Sequence, residues 1–133
     1  MTLNPETKPR LLLVPEFTEL EWAIEPLLSE WAEVISYDLP GIGDEPLPDG
    51  VTSLRELTRE VAAERGLEKV AAGGWDRFFV VTDGWGIGSA VRIAARRPEA
   101  VAGLAFGHAK LSFARAGERA RAGGDLRRDV GAH

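Results

Sequence analysis

Apolar residues along this chain fall into two kinds of segment that alternate. Short continuous runs stand at Leu11-Leu12-Leu13-Val14, within Glu33-Val34-Ile35-Ser36-Tyr37, at Phe78-Phe79-Val80-Val81-Thr82 and at Val101-Ala102-Gly103-Leu104-Ala105-Phe106. Runs of this length predict strands, and Leu11-Leu12-Leu13-Val14 one covered on both faces, as in parallel sheets. Between them the spacing changes to that of helices. Leu20, Ile24, Leu27, Leu28 and Trp31 predict an amphipathic helix over Glu19 to Trp31, weakened or kinked by Pro26. Leu54, Leu57, Val61 and Val70 predict the buried side of a second helix reaching Ala72, with Ser53-Leu54-Arg55-Glu56 as a capping box and Gly66 as a local irregularity. Ala90 to Arg97 predicts a third helix, which Pro98 stops. Four strands alternating with three helices imply right-handed crossovers and an α/β fold: an open, mostly parallel sheet of about four strands with helices on both faces.

The ends differ from the middle. Residues 1–9 are polar, hold two prolines and read as a flexible N-terminus, residues 10–113 as the folded domain, and residues 114–133 as an Arg/Ala/Gly-rich tail, frayed or disordered. With 133 residues the chain is long enough to bury one core, and 44% hydrophobic with 28% charged residues is ordinary for a globular protein. No apolar run approaches a membrane span, the first residues do not look like a secretory signal, and there is no cysteine for a disulfide or thiolate site. These features fit a cytoplasmic protein without a membrane partner. The net charge of −5 conceals an asymmetry: 7 Lys and Arg against 17 Asp and Glu from Met1 to Val91, then 9 against 4 from Arg92 to His133. The basic end reads as a solvated tail, with self-association or an anionic partner as the alternative. Arg92, Arg96 and Arg97 have no aromatic interleaving, so nucleic acid is not expected.

The chemistry centres on Asp83-Gly84-Trp85-Gly86-Ile87-Gly88-Ser89, where the third strand runs into a glycine cluster and then a helix. Gly84 to Gly88 has the outline of G-x-S-x-G, the turn that raises a nucleophile above a sheet. Three other segments stand in the matching order: Leu11 to Phe17, Asp38-Leu39-Pro40-Gly41-Ile42-Gly43, and Arg96-Arg97-Pro98-Glu99-Ala100-Val101. From about Leu11 to Phe106 the chain resembles the N-terminal half of the α/β-hydrolase superfamily. The resemblance implies a truncated α/β-hydrolase-like fold whose nucleophile position is Gly86 and whose oxyanion-donating amides are those of Phe17 and Ile87.

Several departures from that pattern bear on activity. Gly86 has no side chain, so acyl-enzyme chemistry at this position is excluded. The family's His-Gly is replaced by Pro15-Glu16, a carboxylate where an oxyanion would be stabilised. The family's further strands, with its acid and histidine, have no counterpart after Phe106. An elbow residue sits at positive φ in this family, which predicts that glycine at 86 relieves backbone strain.

Glu16, Asp38, Asp83 and His108 follow the four predicted strands, on the sheet edge where open α/β folds bind ligands, and form a candidate polar cluster suited to a metal or to acid/base work. The plainer reading is that Asp38 braces its loop, Asp83 caps the turn and His108 is solvated; no metal site and no cofactor are expected. Phe17, Trp85 and Ile87 are the candidate ligand-binding residues beside a small molecule at the elbow. Trp22, Trp31 and Trp75 read as packing anchors, and Ser89 as a close-packing residue rather than a substitute nucleophile. Three functions follow: a non-catalytic binding or assembly module; an enzyme with a non-serine site completed in a homodimer through the edge of strand 101–106; and a dinucleotide-binding Rossmann-like domain. The last lacks an acidic residue at Ala105-Phe106-Gly107 for a ribose, and Gly41 stands four residues after Tyr37 where a catalytic lysine is required.

Overall fold

A computed structural model describes residues 8–15, 20–43 and 45–107, with the backbone alone for residues 20–23. Four strands form one sheet: β1 (Arg10–Leu13), β2 (Glu33–Ser36), β3 (Phe78–Asp83) and β4 (Val101–Gly107). Their order is β2-β1-β3-β4 and all neighbours are parallel. Helix α1 (Leu20–Leu28) joins β1 to β2, α2 (Leu54–Glu56) and α3 (Ala62–Ala72) lie between β2 and β3, and α4 (Ile87–Arg96) joins β3 to β4. The predicted sequence of elements therefore holds, with ends displaced by a few residues. Of residues 1–9 only 8 and 9 are described, and the predicted tail lies outside the described residues.

The two faces of the sheet are covered unequally. Leu12 and Val14, Phe78 and Val80, and Tyr37 share one core with Ala63 and Val70 of α3 and Ala90 and Ile93 of α4. Full burial of a residue such as Phe78 or Leu12 contributes roughly 1.5–3 kcal/mol. On the opposite face Ser36 of β2 donates to Glu25 of α1 at 2.8 Å, which places α1 there, while Phe79 remains 41% exposed. Helices thus lie on both faces. Leu27 and Trp31, expected on the buried side of the first helix, are exposed; α1 ends at Leu28, so Trp31 lies beyond it, while Leu27 faces outward within it. Leu54, expected to be buried, is exposed in the first turn of α2, beyond the rim of the core. Trp75 is the anchor the sequence predicts, buried beside Phe78 with the Arg10 guanidinium 5.8 Å from its ring.

The irregularity expected at Gly66 lies elsewhere. From Leu54 to Ala72 the backbone stays helical but passes through a π-turn at Leu57–Val61, where Ala62 N–H bonds the carbonyls of Leu57 and Arg59. Gly66 sits in regular α-helix. It is glycine because a Cβ there would stand 2.6 Å from the Tyr37 hydroxyl. That hydroxyl donates to Ala62 O at 2.7 Å.

Candidate functional site

In the strand order β2-β1-β3-β4 the chain leaves β1 toward β2 and leaves β3 toward β4. The connections diverge at the carboxyl ends of β1 and β3, the position where open α/β sheets place ligands. Buried Val14 and Pro15 follow β1 at this point, and the glycine turn follows β3.

The turn places its positive φ elsewhere than the resemblance implies. Gly84 takes the positive φ, +44°, and Gly84–Gly86 form one turn of 3₁₀ helix that leads straight into α4. Gly86 has φ −73° and ψ −13°, ordinary helical values. The expectation of strain relief at Gly86 is therefore corrected: the left-handed residue is Gly84, and glycine at 86 is required by space instead. A Cβ on Gly86 would stand 1.9 Å from Thr82 Oγ1 and 3.3 Å from Pro15 O. The Thr82 hydroxyl is held in that position by donating to Val14 O at 3.2 Å. Ile87 N–H donates to Gly84 O, so the amide corresponding to an oxyanion donor is engaged within the turn.

Other polar groups brace the fold. The Asp38 carboxylate lies against Gly43, whose φ is +61° and whose added Cβ would stand 2.2 Å from Asp38 Oδ2. The loop closes on itself through Gly41 N–H to Glu45 O at 2.8 Å and Ile42 N–H to Leu39 O at 2.8 Å. Glu45 pins it to α3, with Lys69 Nζ at 2.8 Å and Arg65 Nε at 3.3 Å, and its side chain is only 15% exposed. Burial, and then the Glu45 charge, push the Tyr37 phenol far above its ordinary value of 10.0. Ser89 is fully buried and donates to Thr58 O.

Of the proposed polar cluster, Asp38 and Asp83 are placed, after β2 and at the end of β3, whereas Glu16 and His108 lie outside the described residues, as does Phe17. Trp85 is 61% exposed on the turn and Ile87 is half-buried at the start of α4. Among the described residues no set of three or more His, Asp or Glu side chains is arranged to hold a metal ion. No helix among them is long and apolar enough to cross a membrane. Arg92 and Arg96 are ion-paired to Glu60 rather than simply solvated, and Arg97 is paired to Glu99. Thr82 is the residue that sequence reasoning missed. Its signal was available: it continues the inward phase of Phe78 and Val80 and stands four residues before Gly86.

No protein-family model and no curated protein matches the chain. Solved structures do. DBJA is 32% identical with a TM-score of 0.59, covering 74% of this chain and 33% of its own. A haloalkane dehalogenase, DbeA-M1, from Bradyrhizobium elkanii is 29% identical over 74% of this chain and 31% of its own, at a TM-score of 0.56. A predicted CIB-like hydrolase from Thermoplasma acidophilum, 17% identical, covers 78% of this chain and 53% of its own at a TM-score of 0.59. The chain has an α/β-hydrolase-like fold, and it spans about a third of the length of DBJA and the dehalogenase.

Proposed function

We propose that this chain is a hydrolase-like domain that binds or assembles rather than one that attacks a substrate from its elbow. The observation that carries this reading is the contact between Thr82 and Gly86. A nucleophile needs a side chain at the elbow, and the space for one is filled by the Thr82 hydroxyl. Engagement of the Ile87 amide by Gly84 O removes one donor from any charge developing at the elbow. The test is hydrolysis of activated esters and of haloalkanes by the purified chain. Turnover no greater than that of buffer is expected; turnover that follows the protein through purification and is lost on Thr82→Val would overturn the reading.

A second reading is favoured by β4. Its seven residues carry no charge and no proline, and it pairs with β3 alone among the described strands. Natural sheets usually guard such an edge with charges or prolines. Two copies joined there about a two-fold axis would form an eight-stranded sheet, with a site completed between them. Mass measured by light scattering decides this, since a monomer at all concentrations removes the paired site.

A further inference from the structure

Between the start of α2 and the second turn of α4 runs an open groove of about 290 Å³, lined by Ser53, Arg55, Glu56, Arg59, Glu60 and Arg92. Most of its acceptors are already in use. Glu60 accepts from Arg92 Nε at one carboxylate oxygen and from Arg96 Nη2, at 2.7 Å, at the other. Ser53 Oγ accepts from Glu56 N–H at 3.1 Å as the cap of α2. Among the described residues Arg55 and Arg59 form no ion pair, and Glu56 is the only remaining carboxylate in the lining.

Two guanidinium groups converge on Gly88. Arg92 Nη1 donates to its carbonyl oxygen at 3.0 Å. The Arg59 side chain crosses its Cα so closely that a Cβ there would stand 2.8 Å from Arg59 Cγ and 3.3 Å from Nε. Gly88 therefore leaves room for the half-buried Arg59 side chain to cross the first turn of α4. Glu60 already offsets the Arg92 charge, which leaves Arg55 and Arg59 as the lining's cations without an ion-pair partner among the described residues, against the single carboxylate of Glu56.

We propose that this groove binds the phosphate group of a small molecule. Arg59 and Arg55 supply the forks that match phosphate oxygens, and Arg92 is positioned by Glu60 and Gly88. The site is separate from the elbow, so its test succeeds or fails independently of the reading above. Inorganic phosphate, pyrophosphate and phenyl phosphate are titrated into the protein at fixed ionic strength, with calorimetry for affinity and amide NMR shifts for location. Saturable binding of at least one probe, with shifts centred on Arg59 and Gly88, is expected. Phenyl phosphate binding more tightly than inorganic phosphate identifies a phosphorylated organic ligand, and the reverse order identifies the free ion. Arg59→Ala, and Arg59→Lys, which keeps the charge but loses the fork, should each weaken binding about tenfold. Absence of saturation with all three probes, or Arg59→Lys and Arg59→Ala both binding within about twofold of the parent, overturns the proposal.

Discussion

The Ser89 hydroxyl donates a hydrogen bond to the main-chain carbonyl of Thr58. This bond, with those of Arg92 and Arg96 to Glu60, links α4 to the π-turn of the long helix. In that turn Ala62 N–H goes to Leu57 and Arg59 and not to Thr58, and Ser89 reaches the Thr58 carbonyl from the neighbouring helix. Thr58 Oγ1 donates in turn to Leu54 O at 2.8 Å. Ser89 has the position of a residue following an elbow, yet its hydroxyl is fixed in the helix interface.

Ser89→Ala should therefore destabilise the domain by about 1–3 kcal/mol, the range for a buried acceptor left without its donor. Urea denaturation measures it. A change below about 0.5 kcal/mol, typical of surface substitutions, would show that the π-turn does not depend on this bond.

Gly86→Ser should not create a hydrolase. The new Cβ meets Thr82 Oγ1, and relief requires movement of β3 or the turn, at about 1–3 kcal/mol. Thr82→Ala removes the obstacle, so the double variant should be more stable than the sum of the two single changes implies, by at least about 0.5 kcal/mol. A strictly additive cycle would contradict the contact.

Tyr37 makes an alkaline prediction. Its phenol is held neutral in the folded state, with a raised folded pKa, so its stabilising contribution is complete below 10.0 and is lost as pH rises beyond that. The unfolded chain releases the proton first, and the loss should approach about 1.4 kcal/mol per pH unit. Urea midpoints between pH 9 and pH 11.5 should fall more steeply for the parent than for Tyr37→Phe. Equal slopes would mean that the phenol is not shielded.

Glu45→Gln should loosen the loop after β2, because Lys69 and Arg65 lose their common partner. Both cations are partly exposed, so the cost is set at about 1 kcal/mol. Limited proteolysis should cut faster within residues 38–50, and the alkaline transition of Tyr37 should move back toward its ordinary range, since the Glu45 charge helps to raise it.

On the acid side, the hydrogen bond from Arg92, with the charges of Arg92 and Arg96, holds the Glu60 carboxyl below its usual 4.5. A lowered folded value means a contribution present above 4.5 and lost as pH falls through the folded midpoint. Carboxyl NMR titration should place Glu60 below 4.5, and Arg92→Ala should return it toward that value.

The sequence by itself determined the element order and the parallel sheet. Periodicity reports which segments must be covered on one side or two, and a glycine cluster after an apolar run can only be a sharp turn. It also determined that position 86 has no nucleophile, since that is a matter of composition. Only the tertiary structure decided why glycine stands there. The sequence suggested strain relief at Gly86, whereas the fold puts the left-handed backbone at Gly84 and a threonine hydroxyl against Gly86. That contact joins β3 to the end of β1 through Val14, residues 68 positions apart in the chain. The meeting of Arg59 with Gly88 and of Ser89 with Thr58 is of the same kind. Local pattern fixes which face a residue presents, but which atom lies opposite depends on how separate elements pack, and a one-dimensional pattern carries no such distance.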